Sequence, residues 1–116
     1  MPAAPRPKRL KIGPFWFKVS WVPIAWLDEG HEIAVDGWSN IGEEIIVVRT
    51  SLTPAQERAT FLHEVLHMCL AVSGCLPDSG RIADGAMEES VVRALEASLF
   101  GVIVENPKFV EYLRGA

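Results

Sequence analysis

A chain of 116 residues, 49% of them hydrophobic and 22% charged, can bury one sizeable core without cross-links, so a single folded unit is expected. Its apolar residues are dispersed, with no run of about 18 such as a membrane-crossing helix requires. No apolar stretch with a cleavage site follows the basic opening MPAAPRPKRLK, so membrane and secreted classes are set aside and a cytoplasmic protein is expected. The net charge of −4 is unevenly placed, because Arg6, Lys8, Arg9, Lys11 and Lys18 all precede the first acid, Asp28; a cluster this short reads as a solvated terminus, and nucleic-acid binding is not expected.

Residues 1–8 (MPAAPRPK) contain three prolines and little to bury, and are expected to form a disordered basic arm ahead of a single domain over 9–116. The period then becomes two. In FWFKVSW, Phe15, Phe17, Val19 and Trp21 share one face of a strand, and Gly13-Pro14 separates it from Leu10 to Ile12, which predicts a hairpin. A second β region runs through EIAVDGW. IGEEIIVVRTSL then supplies a glycine-led turn and the β-branched run Ile45 to Val48. These segments predict an antiparallel sheet of three or four strands.

Thr53-Pro54-Ala55-Gln56 has a capping residue, proline at the first helical position and glutamine three residues after the cap, so a helix starts here and runs to about Ser73, with Gly74 as its stop. Its apolar residues cover more than half its circumference, as in a helix enclosed by other elements. A loop, GCLPDSGRIADG, leads to a second helix from about Ala86, with Val92, Leu95, Leu99 and Val102 at core spacing and Asp84 as its N-cap. Asn106-Pro107 ends that helix and opens a short last one, KFVEYLR, closed by Gly115. The fold class is therefore α+β, with a small sheet packed against a central helix and a second helix.

The central helix carries His63-Glu64-Val65-Leu66-His67, the H-E-x-x-H pattern. Residues four apart lie one turn apart on one face, so two imidazoles can converge on one zinc ion, while Glu64 can lie beside a water that it deprotonates without ligating the metal. Two histidines and an acid inside a nearly all-apolar helix are costly to bury without partners. A third ligand is needed, and no third histidine follows. Glu88 and Glu89, in the first turn of the second helix, stand 21 and 22 residues beyond His67, a separation typical of zinc sites completed by a glutamate. On a helical wheel Glu88 falls in line with Val92, Leu95 and Leu99, whereas Glu89 lies about 100° away, so the wheel favours Glu88.

From EEIIVVRTSL through TPAQERATFLHEVLHMCL to EESVVRALEASLFGVIVENP, the chain resembles the small phage-encoded metallopeptidase-like proteins related to the ImmA/IrrE and SprT-like zincins, over most of residues 10–114 in architecture. In that group the third-ligand glutamate is followed by valine and leucine at three and six residues, and an asparagine ends the helix; Glu89, Val92, Leu95 and Asn106 match. The resemblance implies a minimal zincin fold in the cytoplasm of a bacterial host. It also implies zinc held by His63, His67 and Glu89 with water in the fourth position, Glu64 as the general base, and a protein or peptide substrate. It implies too that a sheet edge beside the site holds that substrate in extended form, for which the strand around Glu43 to Arg49 is the candidate. The alternative is a catalytically silent, zinc-stabilised binding protein, or a phage assembly or regulatory protein, since a fold does not settle an activity. A DNA-associated protease using the Arg6 to Lys11 arm has the weaker signal.

The remaining polar candidates take structural roles. His31, after Asp28-Glu29-Gly30, reads as a loop residue, and Asp78 suits a loop. Tyr112 reads as packing with its hydroxyl at the surface, the four tryptophans belong to the sheet and its covering, and Cys69 and Cys75 are expected as reduced thiols.

Overall fold

The computed structural model describes residues 5–23, 36–76 and 81–115. Strands β1 (Arg9–Ile12) and β2 (Phe15–Val22) form the expected hairpin, with Ile12 opposite Phe15 across the two-residue turn Gly13-Pro14. Glycine is required at position 13 for two reasons: its φ is +57°, and an added Cβ would lie 3.0 Å from Val72 Cγ1. Strand β3 (Gly37–Asn40) and strand β4 (Ile45–Arg49) form a second hairpin. Glycine leads its turn at Gly42, but the left-handed residue is Glu44, at φ 53°. His31 and Asp78 lie outside the described residues, as does the first part of EIAVDGW.

The strand order is β1-β2-β4-β3, and β4 runs parallel to β2, Lys18 opposite Ile45 through Val22 opposite Arg49. The sheet is therefore mixed, which corrects the all-antiparallel expectation. A period-two pattern says which face a side chain takes but not which strand lies alongside. The unbroken apolar run of β4 fits its interior place: Ile46, Val47 and Val48 are all buried, as in an interior strand covered on both faces. With both edges paired, β4 cannot accept an added strand, so the edge expected around Glu43 to Arg49 is not available. Of the two edge strands among the described residues, β1 and β3, the one that shares a cleft with Glu64 and His67 is β3.

Helix α1 (Pro54–Val72) has the predicted capping box: Thr53 Oγ1 accepts from Gln56 N at 3.3 Å, and the Gln56 side chain accepts from Thr53 N at 3.2 Å. It packs across the sheet on a cluster of Phe17, Ile46, Val48 and Met68, flanked by Ile12, Trp21, Phe61 and Val65. Helix α2 (Gly85–Glu105) begins at Asp84, whose Oδ1 accepts from Met87 N at 2.8 Å. Helix α3 (Pro107–Arg114) follows, closed by the left-handed Gly115. Asn106 does not cap α3 with its side chain; its Nδ2 reaches back to the Val102 carbonyl at 3.0 Å.

The predicted core stripe of α2 is buried only in part, at Val92 and Leu99. Val92 is fully buried, but Leu95 is 44% and Val102 39% exposed. The inward side of α2 also takes Glu88, Glu89 and Glu96, whose carboxylates meet the two histidines of α1, with the Glu88 side chain less exposed than that of Glu89. Tyr112 lies exposed on α3, and both cysteines are free thiols.

Of the expected disordered arm, Pro5 to Lys8 is tied down. The Arg6 guanidinium grips the Glu57 carboxylate at 2.8 and 3.2 Å, and Trp21 Nε1 donates to the Pro7 carbonyl at 2.7 Å. The Arg9 guanidinium stacks 4.3 Å from the Trp16 ring. No helix among the described residues is long and apolar enough to cross a membrane.

Candidate metal centre

His63 and His67 stand one turn apart on α1, on the side facing α2, with ring centroids 4.9 Å apart at 66°. Their Nε2 atoms turn toward each other at 3.2 Å. Glu89, from the first turns of α2, closes the group: its Oε1 lies 2.9 Å from His63 Nε2 and its Oε2 3.0 Å from His67 Nε2. The opposite ring nitrogens are also engaged. His63 Nδ1 lies 2.8 Å from Glu96 Oε2, and His67 Nδ1 pairs with Glu88 Oε2.

These outer contacts determine what the inner atoms can do. A carboxylate is an acceptor, so with each Nδ1–H donating outward each Nε2 can offer a lone pair to an ion. The donor atoms are close enough to share one ion. Zinc with bonds of 2.0–2.1 Å to nitrogen sets neighbouring tetrahedral ligands about 3.3 Å apart, against the 2.9–3.2 Å found here. His63, His67 and Glu89 thus each offer a ligand atom within 4.8 Å of the others, a group that could hold a metal ion. Glu88, the wheel's choice, also turns inward but meets His67 on its Nδ1 side, while Glu89 lies against both Nε2 atoms.

Burial opposes ionisation of Glu89, but the Arg93 guanidinium, 3.0 Å from Oε1, and the two imidazoles outweigh it and hold the carboxyl below its ordinary range. Glu64 behaves oppositely. It is 8% exposed, and burial raises its pKa against the opposing pull of the Ser39 hydrogen bond and the imidazoles. Ser39 Oγ donates to Glu64 Oε1 at 2.7 Å. Two clefts of about 360 Å³ each share Glu64 and His67 in their walls. Asp36, Thr60 and Arg93 complete one, and Ile41, Met68 and Leu76 the other.

Glu96, Arg93 and Ser39 were not singled out from the sequence. A signal existed for two of them: Glu89, Arg93 and Glu96 recur at i, i+4 and i+7, a polar stripe on an otherwise apolar helix. Ser39 carried none. Because Glu88 and Glu96 orient the rings, Glu88→Gln and Glu96→Gln are each expected to weaken zinc binding roughly 10- to 100-fold, as read by competition with a chromophoric chelator.

No protein-family model, curated protein or solved structure matches this chain.

Proposed function

We propose that this chain is a zinc metallopeptidase, of the kind that its resemblance to the ImmA/IrrE and SprT-like zincins suggests. The observation that carries the reading is the convergence of His63 Nε2, His67 Nε2 and Glu89 on one point, with the buried Glu64 carboxylate in the wall of both adjoining clefts. A purely structural zinc site has no use for such a base, and this favours the enzyme over the silent binding protein.

Bound by this triad, zinc would supply a Lewis acid that acidifies a water and polarises a peptide carbonyl. Glu64 takes the proton from the attacking water and later delivers it to the departing amine. Its burial suits that role, because a carboxylate raised above its ordinary pKa is the stronger base. Glu88 and Glu96 keep both imidazoles in the ligating tautomer, and Arg93 keeps Glu89 ionised.

The substrate's seat is β3. Arg49 N donates to Asp36 O at 2.8 Å, which sets the phase of the β3–β4 ladder: Trp38 and Asn40 turn their backbone groups to β4, and Gly37 and Ser39 turn theirs to the open edge. An extended peptide pairing there would pass beside Glu64.

Zinc-loaded protein incubated with a mixture of unstructured peptides is expected to generate new termini, read by mass spectrometry, that do not form with the His67→Ala protein. Equal yields from the two proteins would refute the reading.

A further inference from the structure

The helix that carries Glu64 does not by itself orient it. Glu64 lies about 100° around α1 from His63, so the face that presents the imidazoles leaves the carboxylate free to turn. Strand β3 supplies the constraint through two residues. A Cβ added at Gly37 would lie 2.9 Å from Glu64 Cγ and 2.9 Å from Thr60 Cγ2, so only glycine lets the strand close on the side chain. Two residues along, on the same face of the strand, Ser39 Oγ donates its single proton to Glu64 Oε1. Among the described residues Oε2 accepts no hydrogen bond.

We propose that Ser39 is a positioning residue for Glu64: by occupying Oε1 it leaves Oε2 as the oxygen that meets the attacking water. Gly37 and Ser39 are also the β3 residues whose backbone groups face the open edge, so the rail for an extended peptide and the seat of the base are one piece of chain. A peptide that pairs with β3 is thereby registered against Glu64 without an intervening loop. This inference rests on the peptidase reading, and it adds to that reading the device that aims the base.

The test compares Ser39→Ala and Ser39→Thr with the wild type, all zinc-loaded and matched in zinc content and circular dichroism. In crystal structures, Glu64 is expected in one orientation in the wild type and in Ser39→Thr, which keeps the hydroxyl, but displaced or divided between orientations in Ser39→Ala. In steady-state kinetics, losing a hydrogen bond to a charged group is expected to lower kcat of Ser39→Ala roughly 10- to 100-fold with KM little changed, and Ser39→Thr is expected to recover most of it. An unchanged Glu64 orientation in Ser39→Ala, or a loss shared equally by the threonine variant, overturns the proposal. Ser39→Cys, which keeps the volume and weakens the donor, takes the place of alanine should that variant fail to fold. If the wild type cleaves nothing, the peptidase reading fails, and the orientation of Glu64 still decides the role of Ser39.

Discussion

The Glu64→Gln protein is expected to bind zinc as the wild type does and to lose roughly 10²- to 10⁴-fold in kcat, the range that a positioned general base contributes. Glutamine has the same shape, and its side-chain oxygen can still accept the hydroxyl of Ser39, which lies 2.7 Å from Glu64 Oε1. The tight approach of β3 at Gly37 is kept for the same reason, so the fold and the neighbouring histidines should stay in place. Burying a neutral amide is also less costly than burying a carboxylate. What disappears is the acceptor for the water's proton. Steady-state rates on a peptide that the wild type cleaves, with elemental analysis of both proteins, measure the two effects separately. Turnover that survives intact in the glutamine variant would remove the assigned mechanism.

Stripping the metal with a chelator is expected to lower the melting temperature by roughly 10–20 °C, and zinc to restore it. A ligand present at about 1,000 times its dissociation constant stabilises the native state by about 4 kcal/mol, and each kcal/mol moves the midpoint of a domain near this size by about 4 °C. The physical source is local. Two Nε2 atoms of α1 lie 3.2 Å apart and face a carboxylate of α2 whose oxygens lie 2.9 and 3.0 Å from them. The contact between α1 and α2 is built around that group, so an ion held by it would cross-link the two helices. His67→Ala is expected to melt at one temperature whether zinc or chelator is present. Differential scanning calorimetry of both proteins, with and without zinc, makes the comparison, and a wild type indifferent to zinc would dismiss the metal centre.

Local chemistry was legible in the sequence because its causes are local. Thr53 with Pro54 and Gln56, Asp84 ahead of α2, and Gly74 and Gly115 beyond α1 and α3 are punctuation that acts within one turn of backbone, and each takes its expected place. The four-residue spacing of His63 and His67 puts both rings on one face of any helix, so their convergence needed no knowledge of the rest of the chain. The run Ile45 to Val48 was legible as a strand, but its place inside the sheet, parallel to β2, was not.

Three features required the assembled molecule. Which glutamate reaches the imidazole nitrogens depends on how far α2 is rotated about its axis. A wheel assigns that rotation by counting apolar residues, whereas here Glu88, Glu89 and Glu96 meet the histidines of α1 and Leu95 stays outside. Which strand lies open beside the site depends on β4 inserting between β2 and β3, a pairing between segments more than twenty residues apart. And Ser39 meets Glu64 only because a glycine two residues earlier lets the strand approach the helix. Elements and motif follow from spacing along the chain, which a sequence records directly. Rotation, strand order and close approach follow from forces between distant segments, and those act only once the segments meet.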